Sequence, residues 1–143
     1  MKRKIISFIF IGIVIFSSTF VFLSEIEAEE EVTFPDKNLE NAIREKIGKN
    51  SGPIYESDLE QINRLEANGK NIKSVGGLEH CKNLKYLYLW NNNISDLSPL
   101  SNLTNLTELD LGNNSILDIN PLSNLTNLTK LYLWQNKSKI SDI

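Results

Sequence analysis

Leucine and isoleucine residues recur with a period of 22 residues in the second half of the chain, and this period constrains the fold more than any other feature. The same apolar template starts at Leu84, at Leu106 and at Leu128. A fixed period of roughly 20–50 residues indicates a solenoid, in which each repeat is one structural unit that buries its apolar face against its neighbours. The chain is therefore expected to stack its repeats in a row.

The template matches a leucine-rich repeat. In the first regular unit an asparagine separates one apolar series from a second: Leu84, Leu87, Leu89, Asn92, Ile94, Leu97, Leu100 and Leu103. A degenerate unit starts at Ile62 with Lys70 in place of the asparagine, and the last unit reaches Ile140 two residues late. We predict about three and a half 22-residue repeats over residues 62–143, the last of them incomplete.

Each repeat is expected to contribute one strand and one outer turn. Residues 86–90 read Tyr-Leu-Tyr-Leu-Trp, an alternation that turns Leu87 and Leu89 inward and the aromatic side chains outward. Residues 95–100 contain Pro99 and are too short for a full α-helix. The predicted fold is an α/β leucine-rich repeat solenoid with a parallel concave sheet, a 3₁₀ or irregular convex side and a small α-helical N-terminal cap.

The cap is predicted at residues 29–61, because the end of a solenoid exposes apolar side chains that need a cover. Leu39, Ala42, Ile43 and Ile47 have helical spacing, with Pro35 near the start of the helix and Gly48 at its end. A loop follows at residues 49–53. Residues 57–60, Ser-Asp-Leu-Glu, have the spacing of a capping box and predict that a shorter helix starts at Ser57. The acidic residues 27–31 are expected to be a solvated linker.

Residues 1–28 resemble a secretory signal peptide. Basic residues 2–4 precede an apolar stretch at residues 5–23, and Ala28 is the small residue that a signal peptidase requires. Cleavage after Ala28 predicts a secreted or cell-surface protein. The alternative is an uncleaved membrane anchor, since the apolar stretch approaches the length of a membrane span. Removal of residues 1–28 takes away three basic and two acidic residues, which changes the formal net charge from -3 to -4.

The remaining composition argues against several classes of protein. An acidic chain is not expected to bind nucleic acid. The only cysteine, Cys81, occupies an apolar position of the template, where a thiolate would lack access to a substrate. The only histidine, His80, is adjacent to it, and no group of Cys and His residues has the spacing of a zinc site. We predict a protein that is not an enzyme and that holds no cofactor and no metal.

Several motifs resemble an internalin: Phe34-Pro35-Asp36, Ala42-Ile43, Ser57-Asp58-Leu59, Leu65-Glu66-Ala67, residues 71–75, and repeats that read Asn-Asn-Asn-Ile-Ser-Asp-Leu-Ser-Pro-Leu-Ser-Asn-Leu-Thr-Asn-Leu. The resemblance covers residues 33–143. It implies an exported, virulence-associated protein of a Gram-positive bacterium whose concave face binds a host or surface protein. The family's C-terminal immunoglobulin-like domain and wall-anchoring motifs have no counterpart in this sequence, so the chain resembles a truncated internalin.

The outward strand positions are the candidate binding site. They form three rows across the repeats: Arg64, Tyr86, Glu108, Lys130; then Glu66, Tyr88, Asp110, Tyr132; then Asn68, Trp90, Gly112, Trp134. Tyrosine and tryptophan are enriched at interface hot spots, so Tyr88 and Trp90 are the expected anchors. The polar strand with Glu108, Asp110 and Gly112 is expected to separate them from Tyr132 and Trp134. Asn92, Asn114 and Asn136 are expected to form a structural ladder that bonds the backbone of the turns.

Two other functions fit the same residues. Flat aromatic rings beside carboxylates and amides can hold carbohydrate or a cell-wall polymer, and a truncated remnant would have no activity.

The uncapped last repeat, with Leu128, Leu131, Leu133, Ile140 and Ile143, is expected to fray or to self-associate through its apolar edge. Hydrogen exchange that protects this repeat as strongly as residues 84–111 in a monomer would contradict that expectation.

Overall fold

The computed structural model describes residues 29–136 and contains two short sheets and two helices. The N-terminal part holds β1 (Glu31–Val32), α1 (Lys37–Ile47), β2 (Ile54–Tyr55) and α2 (Glu56–Glu60). The repeats contribute β3 (Arg64–Glu66), β4 (Tyr86–Tyr88), β5 (Glu108–Asp110) and β6 (Lys130–Tyr132). The signal segment, Ile140 and Ile143 lie outside the described residues.

The repeat strands form one parallel sheet in the order β3-β4-β5-β6. Their register advances by one repeat from strand to strand, so that Leu65 pairs with Leu87, Leu87 with Leu109 and Leu109 with Leu131. On the opposite side the chain makes short 3₁₀ turns at Leu78–His80, Ser98–Leu100 and Asn120–Leu122. The predicted solenoid, with a parallel sheet inside and 3₁₀ turns outside, is confirmed.

One continuous apolar core runs between the sheet and the outer turns. It extends from Val32 and Phe34 in the N-terminal part to Leu125. Cys81 is fully buried in this core, and burial raises the pKa of its thiol to about 12. The thiol is therefore neutral at physiological pH and packs as a small apolar side chain.

Helix α1 is tied to the first repeat by its N-cap residue. Asp36 accepts hydrogen bonds through Oδ1 from the backbone of Asn38 and Leu39, which caps the helix. Through Oδ2 it accepts hydrogen bonds from the backbone of Lys73 and Ser74. Partial burial opposes ionisation of this carboxyl, but the four backbone donors outweigh it and lower the pKa. One side chain thus fixes both the start of the helix and its position on the repeats.

The start predicted for the second helix was wrong. Helix α2 begins at Glu56 rather than at Ser57, with Tyr55 as its N-cap residue, and the backbone N–H of Tyr55 donates to Oδ2 of Asp58 at 2.9 Å. Ser57 lies inside the first turn and donates from its backbone N and from Oγ to the carboxylate of Glu29. The cause is the pairing of β1 with β2, which ends at Tyr55 and brings Glu29 to the start of the helix.

Residues 27–31 were predicted to be a solvated linker. Within the described part Glu29, Glu30 and Glu31 are exposed as expected, but the strand pairing shows that the segment is not a free linker. Glu31 and Val32 pair antiparallel with Tyr55 and Ile54, and Val32 is buried. Glu29 contacts the helix through its carboxylate, as described above. The segment is thus part of the structure that covers the first repeat.

Strand β6 lies at the far edge of the sheet. Leu131 is 38% exposed, whereas its counterparts Leu87 and Leu109 are fully buried by the strands on both sides. Self-association through this edge stays a prediction.

Within residues 29–136 no helix has both the length and the apolar character that crossing a bilayer requires.

Candidate binding face

The three rows of outward residues lie side by side on the concave sheet. Strand register places Tyr86 beside Glu108 and Glu108 beside Lys130, and in the next row Tyr88 beside Asp110 and Asp110 beside Tyr132. Neighbouring strands are about 4.8 Å apart, so side chains in one row are in contact range. The structure therefore brings the sequence-predicted residues together on one surface.

The first part of this surface is an ionic network. Arg64 pairs with Glu66 at 2.7 Å between Nη2 and Oε1, and its Nη1 donates to the hydroxyl of Tyr88 at 3.3 Å. The Arg64 guanidinium also lies 4.6 Å from the centre of the Tyr88 ring and 5.8 Å from that of Tyr86. A cation at such distances from an aromatic face is attracted by the ring quadrupole.

A second ion pair joins the next two strands. Nζ of Lys130 lies 3.1 Å from Oε2 of Glu108. The hydrogen bond from Lys130 lowers the pKa of Glu108, and the same contact raises the pKa of Lys130. Arg64, Glu66 and Lys130 are exposed, whereas the Glu108 side chain is only 17% exposed. Ion pairs with exposed partners contribute little to the stability of the fold, so these pairs mainly set the charge pattern of the face.

The two tryptophans touch, contrary to the expectation that a polar strand would separate them. The ring centres of Trp90 on the β4 side and Trp134 on the β6 side are 5.9 Å apart, with 34° between the ring planes. They meet above Gly112, where an added Cβ would lie 2.5 Å from Cε2 of Trp134. Because Gly112 has no side chain, the Trp134 ring lies over the intervening strand. Trp90 and Trp134 remain 37% and 46% exposed.

Gly112 is the position of this face whose structural role is hardest to predict from the sequence. The row pattern alone places Gly112 in the third row, between two tryptophans, and predicts no contact there. A glycine in a pattern that predicts a strand often marks the close approach of another group, although β5 itself ends at Asp110. That signal, together with a tryptophan one repeat further along the chain, could have indicated the contact.

The asparagines of the repeat template bond the backbone on the rim beside this face. Oδ1 of Asn92 accepts from the backbone N–H groups of Lys70 and Ile72, and Nδ2 donates to the carbonyls of Ala67 and Leu89, all at 2.9–3.1 Å. Asn114 and Asn136 make three of these four bonds one and two repeats later: Oδ1 accepts from one backbone N–H, and Nδ2 donates to two carbonyls. Asn92 and Asn114 are buried. These side chains hold the ends of the strands at a fixed spacing.

The neighbours His80 and Cys81 do not share one environment. Nδ1 of His80 lies 2.6 Å from Oε1 of Glu56 on helix α2, and Lys82 donates to the other oxygen of that carboxylate. The side chain of Cys81 is buried in the core. Within residues 29–136 no group of His, Cys, Asp and Glu side chains is arranged to hold a metal ion.

Comparison with known proteins establishes the class of this chain. The family model described as Leucine Rich repeats (2 copies) matches residues 60–102, 82–124 and 104–143. The chain belongs to the leucine-rich repeat family. No curated protein sequence is significantly similar to it.

Solved structures place the chain more narrowly. An internalin (inlF) from Listeria monocytogenes is 39% identical, with a TM-score of 0.72, over 79% of this chain and 34% of its own. Internalin C2 (inlC2) from the same species is 30% identical, with a TM-score of 0.57, over 73% of this chain and 57% of its own. The functional domain of InlJ from Listeria monocytogenes is 29% identical, with a TM-score of 0.67, over 77% of this chain and 24% of its own. The chain is an internalin-like leucine-rich repeat protein, and it spans between a quarter and somewhat over half of these relatives.

Proposed function

We propose that the concave face binds a protein, with the contact between Trp90 and Trp134 as its centre. The observation that carries this proposal is the pair itself: two large, exposed indole rings form one apolar surface beside the tyrosines and charged side chains of the concave sheet. Tryptophan offers a large and rigid contact area, and binding energy concentrates on such residues at the centre of an interface. Repeat domains of this family are generally protein-binding, which supports the same function.

The rest of the face is suited to surround such a centre. Tyr88 is half-buried against Arg64, so it is held in place before a partner arrives, and Tyr132 is 41% exposed at the sheet edge. The ion pairs Arg64–Glu66 and Lys130–Glu108 form a polar border. A well-packed aromatic centre with a polar border is the usual anatomy of a protein interface. Pre-ordered side chains lose less conformational freedom on binding, which favours affinity.

The protein is exported in this proposal. Residues 1–28 act as a signal peptide, and cleavage after Ala28 leaves Glu29 at the N-terminus, next to the helix start that its carboxylate contacts. The intact mass of the protein recovered from the medium and the cell wall of its source tests this step. Loss of residues 1–28 is the expected result. Retention of these residues in a membrane fraction would contradict export by cleavage.

The binding function is tested by comparing two double variants. Tyr88→Ala with Trp90→Ala removes the expected anchors, whereas Leu117→Ala with Ile119→Ala removes two exposed apolar side chains away from the concave sheet. Host-cell and bacterial surface proteins are captured on immobilised wild-type chain and on each variant. We expect one protein to be retained by the wild type and by the Leu117/Ile119 variant, and its binding to the concave variant to be weaker by about 3 kcal/mol, which is over a hundredfold.

Equal retention by the two double variants would contradict the proposal. A panel of soluble glycans serves as the second arm of the same experiment, because carbohydrate could also stack on the indole rings. Perturbation of tryptophan fluorescence by a glycan alone, with no protein retained, would assign the face to carbohydrate instead.

A further inference from the structure

The three carboxylates on the concave face differ in whether they have a cationic partner. Glu66 is paired with Arg64 and Glu108 with Lys130. Asp110 lies on the same strand as Glu108 and in the same row as Glu66, and among the described residues no basic side chain is within ion-pair distance of it. Its Oδ1 accepts a hydrogen bond from the backbone N–H of Gly112 at 2.9 Å. Asp110 is therefore the one carboxylate of this set whose charge the described part of the molecule does not balance.

Aromatic residues occupy the positions next to Asp110 on the concave face. In its own row it lies between Tyr88 on β4 and Tyr132 on β6, each one strand spacing away. Two residues further along the strands, Trp90 and Trp134 meet over Gly112. The Tyr88 ring already holds Arg64 on one face, whereas no cation of the described residues lies over Tyr132, Trp90 or Trp134. A carboxylate next to these three rings combines the two kinds of group that attract an organic cation: a full negative charge and the negative faces of the rings.

In the first repeat the same combination of a carboxylate and an aromatic ring already has a cationic partner. Arg64 pairs with the carboxylate of Glu66 and lies over the ring of Tyr88, with Tyr86 as a second neighbour. The chain itself supplies the guanidinium there. Around Asp110 the carboxylate and the aromatic rings recur, and the described residues supply no cation.

We propose that the site around Asp110 takes a basic side chain, an arginine in the first instance, from the protein that the concave face binds. The inference rests on the proposed protein-binding function and adds the chemistry of the partner's contacting group. The guanidinium approaches with its donors toward the free oxygen of Asp110 and its plane against the tryptophan rings. Arginine suits this site better than lysine because its flat, weakly hydrated head stacks on aromatic faces.

The site can be tested without the partner by using small cations as probes. The chain has only two tryptophans, both at the site, so its two indole N–H resonances report binding directly. The probe is N-acetyl-arginine amide, titrated at constant ionic strength. N-acetyl-citrulline amide, which has the same shape without the charge, is the matched neutral probe, and choline represents a quaternary ammonium ligand. The protein variants are Asp110→Asn and, as a control away from the concave face, Glu60→Gln.

Asp110→Asn should preserve the fold, since its side-chain oxygen still accepts the bond from Gly112. We expect the arginine amide to shift both indole resonances in a saturable way, the citrulline amide to shift them far less, and Asp110→Asn to weaken arginine binding by about threefold to fivefold, the range for an exposed ion pair next to aromatic rings. Glu60→Gln should leave the titration unchanged.

Equal shifts from arginine and citrulline amides, or an unchanged titration in Asp110→Asn, would overturn the inference. Saturation by choline without a response to arginine amide would assign the site to a quaternary ammonium ligand and would also overturn it. The proposed protein-binding function can fail or hold independently of this cation site. A partner whose capture depends on Trp90 but not on Asp110 would leave protein binding in place and remove only the cation site.

Discussion

Replacing Asn92 with alanine should lower the free energy of unfolding by about 3 kcal/mol, because an unsatisfied buried polar group costs about 1–3 kcal/mol and this change leaves several of them. The side chain of Asn92 makes four hydrogen bonds of 2.9–3.1 Å to the backbone, with the N–H of Lys70 and Ile72 and the C=O of Ala67 and Leu89. The side chain is 7% exposed, so little water is available to replace these bonds. The surrounding backbone can relax after the substitution, so the loss of unfolding free energy is smaller than the summed cost of four unsatisfied backbone groups.

Asn93→Ala is the matched control, because the adjacent asparagine is exposed and its backbone bond to Ile72 does not involve the side chain. We expect it to change stability by no more than about 0.5 kcal/mol. Urea unfolding followed by circular dichroism measures both variants. Similar midpoints for Asn92→Ala and Asn93→Ala would contradict the structural role of the ladder. Asn136→Ala, at the half-buried end of the ladder, gives a milder variant if Asn92→Ala does not fold.

Replacing Gly77 with alanine should destabilise the protein by about 3 kcal/mol, through left-handed backbone strain and overpacking together. Gly77 has φ +97°, and an added Cβ would lie 2.4 Å from Cδ1 of Phe34. Phe34 belongs to the buried core that joins the N-terminal part to the first repeat. The substitution therefore pushes that part away from the repeats.

Gly52→Ala separates strain from overpacking. Gly52 has a similar φ, +82°, but an added Cβ there meets no atom within 4 Å. We expect Gly52→Ala to cost about 1 kcal/mol, the price of the backbone conformation alone. In a Phe34→Ala background the obstructing ring is absent, so Gly77→Ala should add only a similar amount. Thermal and urea unfolding of the four variants measure this. Equal costs for Gly77→Ala and Gly52→Ala in the wild-type background would rule out the contact with Phe34.

The repeats could be predicted from the sequence because their signal is strong and is repeated. Leu87 and Leu109 fall at the same place in the 22-residue template, and the alternation around them defines a strand with one buried side. Pro99 marks the outer turn in the same way. Helix α1 was predictable because its apolar spacing runs over three turns and Gly48 ends it in the left-handed conformation.

The remaining features depend on contacts that no local pattern reveals. Strands β1 and β2 have two residues each, too few to show any alternation, so their pairing and the start of α2 at Glu56 were missed. The contact between Trp90 and Trp134 joins residues 44 positions apart through the absence of a side chain at Gly112. Periodicity correctly predicts which face of the sheet a residue lies on. It does not predict the direction in which a large side chain points on that face.

The most direct test of the central claim is site-specific photo-crosslinking of the folded chain to the captured partner. A photoreactive phenylalanine analogue replaces Tyr132 on the concave face in one variant and Leu117 in a second variant, both exposed positions. If the concave face is the binding surface, the partner is crosslinked from position 132 and not from position 117. Crosslinking from position 117 alone would show that the partner binds elsewhere and would contradict the proposed function.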